Sequence, residues 1–99
     1  MKELLNNLNK LFESRIRLGV MSILMINDWV DFNTLKENLN ITDGNLASHI
    51  KALEEAGYIE VKKQFVKKKP NTSYRVTLAG RNEFENHLKA LEEIIKSNT

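Results

Sequence analysis

Apolar residues recur at helical spacing in five stretches of the chain, separated by short polar or extended segments. The first stretch predicts an amphipathic helix over about the first dozen residues. Each of the other four follows a side chain that can cap a helix, and the predicted caps are Ser14, Asn33, Thr42 and Thr77. The stretch after Ser14 is apolar on more than one side, which predicts a central helix touched by several neighbours.

The fourth helical stretch lies within ITDGNLASHIKALEEAGY, residues 41–58. Leu46, Ile50 and Leu53 share one stripe at spacings of four and three, so this stripe is predicted to face the core. Gly57 follows as a left-handed terminator. The opposite face of this helix carries Ser48, Lys51 and Glu55 and has no obvious partner within the chain. It is therefore a candidate for contact with another molecule.

Two alternating strand patterns come next, Ile59–Phe65 and Ser73–Leu78, and Leu78 is predicted to share the inner face of the second strand. Between them VKKKPNTS predicts a hairpin loop, because it holds the single proline of the chain and an asparagine. A shorter extended piece, Trp29–Phe32, precedes the third helix.

The order of these elements predicts a fold that is mainly α with a small β-hairpin, an α+β class. Only Asn40 and Ile41 separate the third and fourth helices, so the two helices must turn sharply on each other. A helix-turn-helix followed directly by a hairpin is a winged helix. The 99 residues fit one domain, which we assign to residues 1–99.

The outer face of the fourth helix suits the major groove of DNA. Its first two turns are small or polar, which lets the helix enter a groove about 12 Å wide. Asparagine can read adenine through a bidentate amide contact, and serine can contact almost any base edge. The residues predicted to contact DNA are Thr42, Gly44, Asn45, Ser48, His49 and Lys51. The alternative is a solvated helix whose Lys51 and Glu55 merely pair at four-residue spacing.

The charge of the chain is unevenly distributed, although the net charge is only +2. Between Val61 and Val76 lie five lysines, one arginine and no acid. A basic segment on a nearly neutral chain indicates an edge that faces a polyanion, although a solvated lysine-rich hairpin has the same composition. The hairpin residues predicted to contact phosphate are Lys67, Lys68, Lys69, Asn71 and Arg75.

Three runs in this part of the chain, LASHIKALEEAGYI, KKPNTSYRVT and LAGR, resemble bacterial and archaeal winged-helix regulators related to the MarR and ArsR groups. The resemblance extends from about Ser14 to Glu85. It implies a recognition helix at Asp43–Ala56, a wing at Lys67–Thr72, and a homodimeric transcriptional regulator. Members that sense thiol-reactive compounds or metals through cysteine differ, because this chain has no cysteine.

The two ends of the chain, residues 1–13 and 78–97, carry apolar stripes that a winged-helix core does not need. A symmetric partner would cover both, so these segments are predicted to be dimerisation helices. The predicted dimer contacts are Leu4, Leu8, Leu11, Phe84, Leu88, Leu91 and Ile95. The alternative is that both helices pack back on their own subunit. A dimer would set two recognition helices about 34 Å apart and favour a palindromic site in double-stranded DNA.

Little in the sequence indicates catalysis or a metal centre. His49 and His87 are the only histidines, and a zinc site needs more ligands. Both are predicted to be polar surface residues, and we predict no enzyme, no metal and no cofactor. Trp29 is predicted to pack in the core or near the dimer helices; alternatively, with Met21 and Met25, it would line a pocket for a small-molecule effector.

The amino-terminal residues mix charged and amide side chains and lack the apolar core of a signal peptide. The most apolar window, Leu18–Ile26, has about half the length that crosses a bilayer. We therefore predict a cytoplasmic protein with no membrane partner.

Two rival functions stay open at this point. A winged helix can act as a protein-interaction module without specific DNA binding, which the weak net charge and the acids Glu54, Glu55 and Glu60 would favour. RNA binding fits less well, because the predicted strands offer no aromatic stacking platform.

Overall fold

The computed structural model describes residues 1–97, and within that range the chain forms five α-helices, one 3-10 turn and a three-stranded antiparallel sheet. The helices are α1 (Lys2–Leu5), α2 (Arg15–Met25), α3 (Phe32–Leu39), α4 (Asp43–Glu55) and α5 (Leu78–Ser97). The strands are β1 (Val30–Asp31), β2 (Ile59–Val66) and β3 (Lys69–Val76), in the spatial order β1-β3-β2. The predicted winged helix of the α+β class is confirmed.

Three of the predicted caps begin their helices. Ser14, Thr42 and Thr77 each accept a hydrogen bond from the backbone N–H three residues later, at 3.3, 3.2 and 3.0 Å respectively. At the other end of α4, Gly57 takes the predicted left-handed conformation with φ of 78°. Both ends of α4 are therefore set by residues next to them in the sequence, Thr42 at the start and Gly57 at the end.

The predicted cap of α3 is wrong. Asp31, rather than Asn33, caps this helix, because its carboxylate accepts a hydrogen bond from the Thr34 N–H at 2.7 Å. Hydrogen bonds from Thr34 lower the pKa of the Asp31 carboxyl. The charged carboxylate is the form that the amino-terminal end of a helix dipole favours.

The first dozen residues do not form the single helix that their spacing predicts. α1 ends at Leu5, and a separate 3-10 turn spans Lys10–Phe12. Asn9 is extended and its side chain accepts the Leu11 N–H, which starts the turn. The bend brings Phe12, only 2% exposed, into the core, and the burial of a large aromatic ring outweighs a continued helix.

The central element is α2, as its apolar residues predict. It contacts α3, α4, β3 and the 3-10 turn, and its Val20, Met21 and Leu24 are fully buried. The largest fully buried side chains of the described residues are Phe12, Val20, Met21, Leu24, Leu35, Leu46 and Leu53. Burying each of them stabilises the fold by roughly 1.5–3 kcal/mol. This shared core fixes α4 against α2.

The hairpin is longer and its turn tighter than predicted. β2 and β3 pair along their full length, so residues 69–72 belong to a strand rather than to a loop. Pro70 lies outside the part of β3 that pairs with β1, where a missing N–H is tolerated. Only Lys67 and Lys68 form the turn. Leu78, predicted on the inner face of the strand, instead begins α5 and is 74% exposed.

Candidate DNA-binding surface

The outer face of α4 is not covered by any other part of the described chain. Leu46, Ile50 and Leu53 are at most 3% exposed and hold the helix on the core. The exposed residues on the other side are Thr42, Asp43, Gly44, Asn45, Ala47, Ser48 and Lys51, which we call the α4 outer face. The predicted contrast between a buried apolar stripe and an exposed polar face is confirmed. Which of these residues contact DNA stays a prediction.

Two salt bridges set the charge of the α4 outer face. The Asp43 carboxylate lies 2.7 Å from the Lys36 ammonium of α3, which offsets the one acid in the first turn of α4. The Lys51 ammonium lies 4.0 Å from the Glu55 carboxylate, and these side chains are 78% and 68% exposed. An ion pair this exposed contributes at most about 1 kcal/mol. Lys51 can therefore exchange Glu55 for a DNA phosphate.

His49 is less free than the other residues predicted on this helix. It is half-buried, and Arg17 of α2 donates a hydrogen bond from Nη1 to the His49 Nδ1 at 2.9 Å. Burial and the adjacent guanidinium lower the pKa of the His49 imidazole, so it is neutral at pH 7. No local pattern could have identified Arg17, because it lies 32 residues from its partner.

The end of the hairpin, Lys67–Lys69, carries three exposed lysines and is called the wing tip below. Lys67 and Lys68 adopt left-handed backbone conformations, with φ of 53° and 67°. Each such conformation costs an L-residue roughly 1 kcal/mol or more. A two-residue turn of this kind favours asparagine and glycine. The turn therefore carries two lysines at positions where asparagine and glycine would be more stable.

The two other predicted hairpin contacts do not reach the wing tip. Arg75 lies on β3, about 20 Å from Lys69 at the wing tip. Its guanidinium forms a salt bridge with Glu60 on the neighbouring strand. Its Nη1 also lies 3.6 Å from the Asp28 carboxylate. The half-buried Asn71 accepts the Ser73 hydroxyl at 3.0 Å. Both side chains have partners within the chain, so neither is among the DNA contacts proposed below.

The alternative interpretation, a pocket formed by Trp29, Met21 and Met25, is not found among the described residues. Trp29 is half-buried, and the Lys62 ammonium and the Arg75 guanidinium lie 4.3 and 4.5 Å from the centroid of its ring. Trp29 lines an open groove of about 700 Å³ between α2, β1 and α3. Neither Met21 nor Met25 lines this groove. Met21 is instead fully buried in the core.

α5 carries a buried face and an exposed apolar stripe. Phe84, predicted as a dimer contact, is 4% exposed and packs edge-on against the Phe12 ring with centroids 5.2 Å apart. Leu88, Leu91 and Ile95 are 45%, 37% and 65% exposed. Their spacing of three and four residues places them on one side of the helix, and we call them the α5 stripe.

Three leucines of the amino-terminal segment pack on their own subunit, as the alternative interpretation expected for this end of the chain. α1 packs against α5, Leu4 and Leu8 are half-buried, and Leu11 packs against the core. These three leucines are therefore poor candidates for a dimer contact. Of the residues predicted at the interface, the α5 stripe alone stays substantially exposed.

His87 is buried rather than on the surface as predicted. It is 4% exposed, and its Nδ1 accepts the Asn9 N–H at 3.0 Å. Burial lowers the pKa of the His87 imidazole, and the nearby Glu13 carboxylate partly opposes this shift.

Within residues 1–97, no three or more histidine, cysteine, aspartate or glutamate side chains come together to hold a metal ion. Over the same range, none of the helices has both the length and the apolar character needed to span a bilayer.

The comparisons with known proteins agree with this geometry. The profile of a family described as winged helix DNA-binding domain matches residues 16–95. An uncharacterised protein of Methanocaldococcus jannaschii is 39% identical over 88 residues, which cover 89% of this chain and 96% of that protein.

Solved structures share the fold over nearly the whole chain. A transcriptional regulator homologue from Pyrococcus horikoshii OT3 is 29% identical with a TM-score of 0.84, covering 97% of this chain and 93% of that chain. The ytfH protein from Salmonella typhimurium is 23% identical with a TM-score of 0.70, covering 90% of this chain and 78% of that chain. At the lower identity, the likeness concerns the fold alone.

Proposed function

We propose that this chain, which belongs to the winged helix DNA-binding domain family, is a transcriptional regulator that binds a specific double-stranded DNA sequence as a dimer. α4 enters the major groove, and the wing tip lies on the neighbouring backbone or minor groove. The observation that carries the proposal is the exposed α4 outer face beside a hairpin that ends in lysines. The family is one of DNA-binding domains and not of enzymes.

The amino-terminal half of α4 is the part suited to base contacts. Asn45 and Ser48 are exposed at a three-residue spacing, while Gly44 and Ala47 add little bulk between them. Lys51 lies a turn further on, where a helix reaches phosphates at the edge of the groove. Glu54 and Glu55 occupy the last turn, where the helix leaves the groove, so repulsion from phosphate is small.

Selection from random duplex DNA at low salt tests the proposal directly. Enrichment of a palindrome supports a dimeric, sequence-specific regulator. Enrichment of a single half-site supports DNA recognition but contradicts the dimer. If no sequence is enriched, the chain is better described as a winged-helix protein-interaction module.

Replacing Asn45 with alanine is expected to relax the preference at one base position of the selected site. A bidentate amide contact contributes about 1–3 kcal/mol of discrimination, so binding to the best site should weaken by that amount while non-specific binding stays the same. Competition titrations with single-base variants of the site measure this. Asn82→Ala on α5, also exposed, is the matched control and should retain the full preference. An unchanged preference in Asn45→Ala would remove this residue from the base contacts.

Replacing Lys67 with asparagine and Lys68 with glycine is expected to stabilise the protein and weaken DNA binding. Asparagine and glycine suit the left-handed turn, so the free energy of unfolding should rise by about 1 kcal/mol. Two phosphate contacts are lost, so the slope of log affinity against log salt should become shallower by about 2. Urea unfolding measures the first effect, and titrations at several salt concentrations measure the second.

The matched control removes the same charge elsewhere on the chain. Lys2→Asn combined with Lys89→Asn changes exposed positions on α1 and α5. A slope that falls equally in both double variants would indicate a general charge effect and contradict a specific role for the wing tip.

The α5 stripe supports the dimer. α5 is 20 residues long, about 30 Å at the usual helical rise, and the described chain measures 54 Å by 25 Å by 21 Å. The α5 stripe lies in the second half of this helix and on the side that does not pack on the core, so it is accessible to a second subunit. In a two-fold dimer the same patch meets itself, so one stripe covers the other. The two α4 helices would then reach successive major grooves about 34 Å apart.

A further inference from the structure

The inner face of the hairpin continues past the core. Side chains alternate between the two faces of a strand, so Ile59, Val61 and Phe65 share one face of β2. Ile59 is 3% exposed and Val61 packs against the core, whereas Phe65 is 75% exposed. The same core holds α4, which also contacts β2. The Phe65 ring therefore lies on the side of the sheet where α4 packs, but beyond the end of the core.

Phe65 is not an isolated apolar side chain. Pro70 lies directly opposite on β3 and is also exposed, and the next residue of β2, Val66, is 44% exposed. A single exposed apolar residue is common on protein surfaces and requires no explanation. In this hairpin, however, three of the four residues in the last two cross-strand pairs are apolar. They form a small apolar patch at the end of the hairpin.

Positive charge surrounds this patch. Lys63 is exposed and precedes Phe65 by two residues on the same face of β2, and the wing tip follows Phe65 within two residues. Residues 61–76 contain no acid. An apolar centre with cationic side chains on both sides complements a surface with apolar walls and anionic edges. The minor groove of DNA has this character, because deoxyribose forms its walls and phosphates follow its edges.

The dimensions of the two DNA grooves give α4 and the hairpin different positions. The major groove is about 12 Å wide and admits a helix, whereas the minor groove is about 6 Å wide. Two strands about 4.8 Å apart, together with their side chains, are too broad for the minor groove. A single aromatic ring is narrow enough to enter. Proteins that bind the minor groove insert such apolar side chains between base steps and kink the duplex.

We propose that Phe65 enters the minor groove next to the major groove that α4 occupies, and wedges apart one base step there. Lys63 and the wing tip bind phosphates on either side of the inserted ring. This inference rests on the proposed function, because it requires α4 in the adjacent major groove. Pyrimidine–purine steps such as TA and CA unstack easily. Phe65 therefore adds a preference for such a step outside the bases that α4 reads.

The test repeats the selection from random duplex DNA with Phe65→Ala. The wild type should enrich a pyrimidine–purine step beside the bases that α4 reads, and Phe65→Ala should keep those bases but lose the step. On the site selected by the wild type, Phe65→Ala should bind about 10-fold more weakly, because the ring is no longer buried. The slope of log affinity against log salt should stay the same, since the ring neutralises no phosphate.

Leu78→Ala is the matched control. Leu78 is apolar and 74% exposed, but it lies beyond the opposite end of the hairpin, so this variant should bind like the wild type. The salt slope separates a groove contact from a purely structural role of the cross-strand pair of Phe65 and Pro70. A hairpin that loosens without this pair would also withdraw the wing tip, and the slope of Phe65→Ala would become shallower. That result would overturn the inference.

Phe65→Trp tests the contact directly and keeps an aromatic ring. The wild type, in which Trp29 is the single tryptophan, supplies the background emission. The additional emission of Phe65→Trp should be quenched by the selected duplex, because an aromatic side chain stacks on bases that it separates. Vesicles of phosphatidylcholine and phosphatidylserine should leave it unchanged. A response to these vesicles but not to the duplex would assign the patch to a lipid surface and overturn the inference.

The outcomes separate Phe65 from DNA recognition by α4. If Phe65→Ala binds the selected site as tightly as the wild type, or still enriches the pyrimidine–purine step, the wedge is overturned and the proposed function stands. The same holds if the wild type selects a site without such a step. If the wild type enriches no sequence, the proposed function fails, and this inference fails with it.

Discussion

Replacing Gly80 with alanine is expected to lower the free energy of unfolding by about 3 kcal/mol. A Cβ at this position would lie 2.8 Å from the Tyr58 carbonyl carbon and 2.9 Å from its Cα, and closer still to its oxygen. That oxygen is backbone and already accepts the Thr77 N–H at 3.0 Å, so it has little freedom to move aside. Alanine would therefore push α5 away from the start of β2. Urea unfolding of the variant and the wild type measures the loss.

Gly44→Ala provides the matched control for this prediction. A Cβ at Gly44 would meet nothing within 4 Å. Alanine also favours the helix over glycine by up to about 1 kcal/mol. The control should therefore be as stable as the wild type or slightly more stable. Equal losses in the two variants would contradict the close approach of Gly80 to Tyr58.

Replacing Leu91 and Ile95 together with glutamate is expected to convert the proposed dimer to monomers. Each glutamate would bury an unpaired carboxylate in an apolar interface, which is strongly unfavourable. Binding to the palindromic site should weaken by about 100-fold or more, since each subunit would then bind its half-site alone. The subunit fold should survive, because these side chains are 37% and 65% exposed. Light scattering at micromolar concentration and titration with the palindrome measure the two effects.

Lys89→Glu is the control for the α5 stripe. Lys89 is exposed and lies two residues before Leu91, which places it on the opposite side of the helix. The variant should keep the mass of the wild type. A wild-type protein that is already monomeric at micromolar concentration would remove the dimer from the proposal, and binding to a single half-site would then be the expected mode.

Much of the fold follows from interactions between residues close together in the chain. A cap such as Thr42 needs only a backbone N–H three residues later, and the stripe of Leu46, Ile50 and Leu53 needs only helical periodicity. These features were predictable because they depend only on residues within the helix and not on its position in the fold. The wing lysines were recognisable for the same reason, since they are consecutive in the chain.

The predictions failed where a distant part of the chain changed the local preference. The spacing of the first leucines favours one helix, but the pocket that buries Phe12 requires a bend at Asn9. Pro70 is typical of a loop, yet pairing along the whole of β2 keeps it in a strand. The sequence predicted that Arg75 contacts phosphate, but its guanidinium forms a salt bridge with Glu60 on the neighbouring strand.

The sequence by itself determined that this chain is a winged helix, that one helix turns a small polar face outward, and that lysines lie at the end of the hairpin. It could do so because periodicity, capping and turn chemistry act over a few residues. Only the tertiary structure decided which cations are already paired, which apolar stripe stays exposed, and which distant residues hydrogen-bond to each other. Those outcomes depend on contacts such as Arg17 with His49, 32 residues apart, and Asn9 with His87, 78 residues apart, which form only when the whole core packs.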